Sequence, residues 1–334
     1  MDKIIDPVPL DLILSELGED RKFMDTNKGG NEIYILDCNT APNTLREIGR
    51  LREISYRNSG GGSGKALDLD EYDFLDNPYK QLIVWDPDAK AIIGGYRFLP
   101  GKDAVIGPDG QPRITSSHLF RYSETFVKEY LPKSMELGRS FVVPDYQSSK
   151  AGAKALFTMD NLWDGIAGAV MAYKGVDYFF GKMTIYASYD KSALALIMRF
   201  LAKHFPDPEG LAAPYKPVVS DVDSRLLDLI LCEDDLKSDF RCLKKAIHDL
   251  GTSIPPLVNS YINSSSTMKI FGSTIAEDFS DTIETGLMIR FSEMYPEKRD
   301  RHALAFLRNR NAPAFIRNLG RRRPLEQLKG LEFK

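Results

Sequence analysis

Glu136 and Arg139 stand inside the otherwise apolar run Met135-Glu-Leu-Gly-Arg-Ser-Phe-Val-Val-Pro-Asp-Tyr-Gln147. A carboxylate can take a proton and a guanidinium can grip an anion. Both are costly inside an apolar strand unless paired or functional. Two solvated charges on an edge strand are the plain alternative. As a strand, alternation puts Glu136, Gly138 and Ser140 on one face and Leu137, Arg139 and Phe141 on the other. A bulge at Gly138 would relax that alternation and re-aim the charged neighbours. Arg52, the pair in Asp70-Glu-Tyr-Asp73, and Tyr96-Arg97 carry the same kinds of group, and each alone reads as surface charge.

The run Ser59-Gly-Gly-Gly-Ser-Gly-Lys-Ala66 suggests a phosphate-cradling loop. Its spelling fails at both ends. Ser59 stands where the first glycine belongs, and Ala66 where a magnesium-ligating hydroxyl is needed. It also follows a helical pattern rather than a buried strand. A mobile loop is the simpler reading, and mobile loops inside folded domains are often lids.

Taken together, these segments resemble one family. Leu51-Arg52, Asp70-x-x-Asp73, Gly94-Gly-Tyr-Arg97 and Glu136-Leu-Gly-Arg139 with Ser140-x-Val-x-Pro144 are similar to the bacterial hemolysin-like N-acyltransferases. Those enzymes acylate ornithine or glycine from acyl carrier protein. A related arrangement occurs in acyl-homoserine-lactone synthases, and both groups have the GNAT acyltransferase fold. The resemblance resumes at Asn161-Leu-Trp-Asp-Gly-Ile166, Tyr178-Phe-Phe-Gly181 and Ile254-Pro-Pro-Leu-Val258, and so covers roughly residues 31 to 292. The segments Asn27-Lys-Gly-Gly-Asn-Glu-Ile-Tyr-Ile, Ala41-Pro-Asn-Thr and Gly60-Gly-Gly-Ser-Gly look closest to the longer, glycine-lipid branch.

The resemblance implies roles. Glu136 would be the base that frees the amine, directly or through water, and Arg139 and Arg97 would hold the amino acid's carboxylate. Asp70 and Asp73, with Arg52 pairing to them, would position the amine or order a lid over the acceptor, made by Gly60, Gly61, Gly62 and Gly64. Backbone amides near Phe141, Val142 and Val143 would receive the thioester carbonyl as charge develops on it. Ser148, Ser149 and Lys150, at a helix start, would face the phosphopantetheine phosphate. Leu156, Phe157, Leu162, Trp163, Ile166 and Met171 would line an acyl tunnel or form an ordinary core helix. The loop Gln147-Ser-Ser-Lys-Ala-Gly152-Ala departs from the CoA-type spelling, which suits a donor carried on a protein.

The elements needed to position these residues are legible as patterns. Strands are expected over 31–37, 81–85, 91–99, 134–143, 177–186, 268–271 and 284–290. Helices are expected over 43–56, 154–174, 192–204, 236–250 and, briefly, 254–262. The expectation is a mixed α/β (α+β), GNAT-like fold with a mostly antiparallel central sheet flanked by helices. Its divisions would be a lead-in (1–30), an acyltransferase domain (31–296) and a basic helical tail (297–334).

The chain has 334 residues, 43% of them hydrophobic, and a net charge of −3, so nothing global calls for nucleic acid. Three dispersed cysteines (Cys38, Cys232, Cys242) and four scattered histidines make neither a disulfide framework nor a metal pattern. No bound cofactor is expected; an acyl thioester on phosphopantetheine is a substrate, carried by acyl carrier protein or CoA. The chain start lacks the make-up of a signal peptide, and no apolar run approaches a membrane span. The bacterial cytoplasm follows, with peripheral contact to the inner membrane open. From Glu297 onward, eleven Lys/Arg face four Asp/Glu, a net of +7. That tail suits an anionic membrane surface, an acidic protein partner, or a solvated end. An autoinducer synthase, a membrane-lytic protein and a membrane-docked scaffold are the other readings.

Overall fold

The computed structural model describes residues 1–147 and 153–308. In chain order it comprises α1 (Leu10–Glu16), β1 (Lys22–Asp25), β2 (Glu32–Leu36), α2 (Pro42–Asn58), β3 (Lys80–Asp86), β4 (Ala91–Pro100), β5 (Phe120–Tyr122), β6 (Ser134–Val142), α3 (Ala153–Ala172), β7 (Tyr178–Ile185), α4 (Lys191–His204), β8 (Ala212–Pro214), α5 (Ser224–Ile230), α6 (Leu236–Asp249), α7 (Pro256–Ile262), β9 (Lys269–Ala276), β10 (Thr282–Arg290) and α8 (Pro296–Arg308). The described residues form two compact units: those of 1–103, 132–177 and 296–308, and those of 104–131 and 178–295.

The first unit is built on strands in the order β1-β2-β3-β4-β6, every pair antiparallel. Helix α2 begins with Pro42 in its first turn, where a missing N–H costs nothing. Its buried Leu45, Ile48 and Leu51 recur at helical spacing. The β3–β4 hairpin turns at Asp86, whose Oδ1 accepts from the N–H of Asp88 (3.0 Å) and of Ala89 (3.1 Å). Gly95 faces Phe141 across β4 and β6. A Cβ there would lie 2.7 Å from the Leu82 carbonyl oxygen, so only glycine allows these backbones to approach this closely.

Helix α3 packs over β3, β4 and β6. Its Leu162, Ile166 and Met171 are buried core residues. Helix α8 packs on α3 through His302 Nδ1 and Asp164 Oδ1 (2.6 Å), Arg301 and Asp160 (2.7 Å), and Phe306 against Phe23 of β1 (5.5 Å between rings). The first part of the expected basic tail is therefore a packed helix; residues 309–334 lie outside the described residues.

The second unit orders β7-β10-β9 antiparallel, with a β5–β8 ribbon beside them. An aromatic cluster joins ribbon to sheet: Tyr122 stacks on Phe126 at 4.5 Å, and Phe126 meets Phe180 edge-on at 5.2 Å. Helices α4 and α6 are tied by buried Asp239, which pairs with Lys203 (2.9 Å) and His204 (2.6 Å).

The expected helices and long strands are present, with β9 longer than expected. Strands β1, β5 and β8 and helix α5 were not expected. At three or four residues these strands are too short to show a period, and tertiary pairing creates them. No helix among the described residues is long and apolar enough to cross a membrane.

Candidate active site

Antiparallel pairing sets Gln81 of β3 opposite Arg97 of β4, and Arg97 opposite Gly138 of β6. Directly paired residues share a sheet face, as do residues two apart. Tyr79, Gln81, Arg97 and Glu136 therefore all point to one side, where α2 lies, while α3 covers the other.

The bulge expected near Gly138 is one residue further on. Arg97 pairs Gly138 and Gly95 pairs Phe141, so Tyr96 alone faces Arg139 and Ser140. Arg139 takes a left-handed backbone (φ 48°), uncommon for a residue other than glycine. Strict alternation would send Arg139 away from Glu136. The bulge instead returns its guanidinium to Asp68 (3.2 Å) and Asp70 (3.5 Å).

Three arginines and three aspartates interlock. Arg97 Nη1 reaches Asp70 at 2.6 Å and Asp73 at 3.0 Å, and its Nη2 reaches the other Asp70 oxygen at 2.8 Å. Arg52 donates to Gln81 Oε1 and lies 3.8 Å from Asp73; Gln81 donates in turn to Asp73 at 2.9 Å. The Asp70 backbone N–H meets Asp73 Oδ2 (3.1 Å), and Asp70 Oδ1 accepts from the Tyr72 N–H (3.1 Å), which fixes the short turn carrying both carboxylates. Arg52 and Asp73 are fully buried, and Arg97 is nearly so. Among the described residues, none accepts a hydrogen bond from Arg52 Nε or Nη1.

Charge states follow from this lattice. Burial alone would raise the Asp70 carboxyl, but the Arg97 guanidinium, aided by Arg139 and Arg52, holds it at about 2. Burial works against charge on Arg97 and Arg139; Asp73 and Asp70 raise the first, and Asp68 the second. For Arg52 burial wins over Asp73, and its guanidinium is lowered.

Glu136 is 1% exposed and pairs with the Tyr79 hydroxyl. Tyr79 also lies under Arg97, whose Cζ is 5.2 Å from the ring centroid. The structure thus brings Arg52, Asp70, Asp73, Arg97, Glu136 and Arg139 into one unit, and adds Asp68, Tyr79 and Gln81, which the sequence reading did not assign. Gln81 carried a signal, as a polar residue opening the apolar run Gln81-Leu-Ile-Val-Trp85; Asp68 belongs to the same acidic run as Asp70. One expectation changes. Both terminal nitrogens of Arg97 are engaged by Asp70 and Asp73, so Arg97 braces the lattice instead of presenting an open fork.

Phe141 is buried, and Val142 and Val143 are half-buried. The Val143 N–H donates to the Ile93 carbonyl at 3.0 Å and is not open to a substrate oxygen. Trp163 stacks near His302 (6.5 Å), so it braces α3 against α8. Phe157 is half-buried under the Lys28 ammonium, 5.4 Å from the ring centroid. Ser148, Ser149, Lys150 and the Leu156 side chain lie outside the described residues.

The glycine-rich run is held by Glu53, whose side chain is fully buried next to Arg52 in sequence. Its carboxylate accepts from the Ser63 N–H (3.0 Å), Ser63 Oγ (2.8 Å), the Gly64 N–H (2.8 Å) and Arg57 Nε (2.7 Å). Gly60, Gly62 and Gly64 all have positive φ, which lets successive amides converge on one anion. The anion cradled here is a side chain of the protein itself. Among the described residues no group of three or more His, Cys, Asp or Glu could hold a metal ion.

Residues 51–156 match the acetyltransferase (GNAT) domain family. The chain is 46% identical over 308 residues to a glycine N(alpha)-acyltransferase of Phocaeicola vulgatus, covering 92% of this chain and 94% of that one. It is 48% identical over 307 residues to a glycine N(alpha)-acyltransferase of Bacteroides thetaiotaomicron, covering 92% and 91%. A CoA-dependent acyl-homoserine lactone synthase, BjaI, aligns over 83% of this chain and 90% of that one at 12% identity and a TM-score of 0.36, too distant to bear on the chemistry.

Proposed function

This chain belongs to the glycine N(alpha)-acyltransferase family and is an N-acyltransferase acting on an amino acid, and from that premise we propose that it moves a 3-hydroxylated fatty acyl group from acyl carrier protein to the α-amine of glycine. The observation that carries the reading is the buried Glu136 on the same sheet face as the Arg52–Arg97–Arg139 lattice. Glycine is preferred to ornithine because both curated relatives are named for it. The carrier-protein donor rests on the altered loop Gln147-Ser-Ser-Lys-Ala-Gly152-Ala.

Glycine's amine is mostly protonated at neutral pH and cannot attack until it loses a proton. Glu136 takes that proton, directly or through one water. Arg139, whose side chain is 21% exposed, holds the amino acid's carboxylate. Arg97, Asp70, Asp73 and Arg52 keep that pair in register. The amine attacks the thioester carbonyl, and negative charge on its oxygen is met by backbone amides near Phe141 and Val142. Collapse forms the amide and breaks the C–S bond, and the phosphopantetheine thiolate takes up the second proton that the nitrogen loses. Ser148, Ser149 and Lys150 receive the phosphate, and the α3 side chains Phe157, Leu162, Ile166 and Met171 support the acyl chain. The glycine-rich run closes over the acceptor. The reaction belongs in the bacterial cytoplasm, with the basic segment after residue 296 at the membrane face where its lipid product would go.

The test is purified chain with acyl carrier protein or CoA thioesters, glycine or ornithine, and mass spectrometry of products. N-acylglycine from the carrier-protein donor supports the reading. Faster turnover with acyl-CoA corrects the donor, N-acylornithine corrects the acceptor, and no product from any thioester ends the proposal.

A further inference from the structure

We infer that Tyr79 is a positioning residue for acyl transfer: its phenol holds the Glu136 carboxylate while its ring supports the Arg97 guanidinium. The inference rests on reading Glu136 as the base. Tyr79 lies just before β3, two residues from Gln81, and so projects to the face that carries Arg97 and Glu136. It is 1% exposed, and its place is fixed from three sides. Its N–H donates to the Tyr72 carbonyl at 3.1 Å, its ring meets Tyr72 edge-on at 5.7 Å, and its carbonyl accepts from Gln81 Nε2 at 3.3 Å.

From this fixed site one side chain addresses two parts of the reaction. The hydroxyl donates to a Glu136 oxygen, which sets the carboxylate's orientation. The π-face lies 5.2 Å from Arg97 Cζ, where a desolvated ring attracts a guanidinium. Arg97 in turn holds Asp70, which Arg139 also contacts. The hydroxyl therefore bears on proton removal, and the ring on the geometry of the acceptor clamp. These two contributions are separable by substitution.

The experiment measures kcat and KM for glycine in wild type, Tyr79→Phe, Tyr79→Leu, Glu136→Gln and the Tyr79→Phe/Glu136→Gln pair, with thermal melting followed by circular dichroism. Tyr79→Phe keeps the ring and should lower kcat about tenfold or more, with KM unchanged. Tyr79→Leu should lower kcat similarly and also raise KM by up to about tenfold. Adding Tyr79→Phe to Glu136→Gln should cost nothing further, because both act on one step. Wild-type kcat in Tyr79→Phe, with Glu136→Gln impaired, overturns the inference and leaves the base reading standing. Equal and independent losses from the two single substitutions also overturn it. Glu136→Gln at the wild-type rate removes the base, and a slow Tyr79→Phe beside it would show that Tyr79 acts elsewhere; both outcomes reject the inference. Tyr79→Phe keeps the ring and removes only the hydroxyl, so it carries the test if Tyr79→Leu fails to fold.

Discussion

Arg97 and Asp70 are joined by two parallel hydrogen bonds, Nη1 to Oδ1 at 2.6 Å and Nη2 to Oδ2 at 2.8 Å. The same Nη1 reaches Asp73 at 3.0 Å, so one guanidinium locks both carboxylates of a single short turn to strand β4. Only a planar fork can do this, and a lysine ammonium cannot. Replacing Arg97 with Lys should cost roughly 3 kcal/mol in urea unfolding, since it leaves Asp73 buried beside a poorly placed charge. Turnover should fall by at least about 100-fold, because misplacing groups by an ångström costs that much. Full activity in the lysine variant would show that the double bond is dispensable.

Asp70 makes part of the stability depend on acid. Its carboxyl is held at about 2 against an ordinary 3.8, so the charged form favours the folded state. That contribution is present in full above the ordinary value and is lost as pH falls from there through about 2. It amounts to roughly 2 kcal/mol. Urea midpoints between pH 6 and 2 should decline in wild type, and less steeply over the lowest part of that range in Asp70→Asn. Parallel curves would assign the acid loss to other groups.

The bulge at Arg139 separates backbone from side chain. Asparagine tolerates the left-handed conformation that Arg139 adopts. Arg139→Asn should therefore keep the backbone conformation, with a stability loss of roughly 3 kcal/mol because Asp68 stays buried without its partner. Its KM for the amino acid should rise at least about 30-fold if the guanidinium holds the carboxylate. An unchanged KM would move the carboxylate to another group.

Glu53 and Gly62 test the glycine-rich run from two directions. Glu53→Gln weakens the grip on Ser63 and Gly64 and should cost about 1–3 kcal/mol. Gly62 has φ +106°, which proline cannot adopt, so Gly61→Pro with Gly62→Pro should displace the run. Reduced turnover in the proline variant, with the sheet intact by far-UV circular dichroism, supports a lid. Unchanged turnover makes the run a plain connection.

At Gly95 the reason for glycine is the Leu82 carbonyl, 2.7 Å from where a Cβ would sit. Gly95→Ala should destabilise the protein by about 2 kcal/mol or more through separation of β3 from β4. Activity should fall with it, since those strands carry Gln81 and Arg97. A wild-type melting temperature would show that the sheet yields at no cost.

By itself the sequence determined the elements with a clear period. Leu45, Ile48 and Leu51 mark α2, and the apolar runs before and after Asp86 mark the β3–β4 hairpin, because burying one face leaves a repeat in the chain. Through the family resemblance it also pointed to Arg52, Asp70, Asp73, Arg97, Glu136 and Arg139, though not to Asp68, Tyr79 or Gln81. Only the tertiary structure decided how that list is wired. The register of β3, β4 and β6 put Gln81, Arg97 and Glu136 on one face, and register is a property of strand pairs. The bulge turned Arg139 toward Asp68 and Asp70, and nothing local in Glu-Leu-Gly-Arg fixes which residue takes the left-handed backbone. Tyr79 and Glu53 stayed silent in the sequence for the same reason. A tyrosine before a strand and a glutamate on a helix are ordinary until folding surrounds them with Glu136 and Arg97, or with the amides of Ser63 and Gly64.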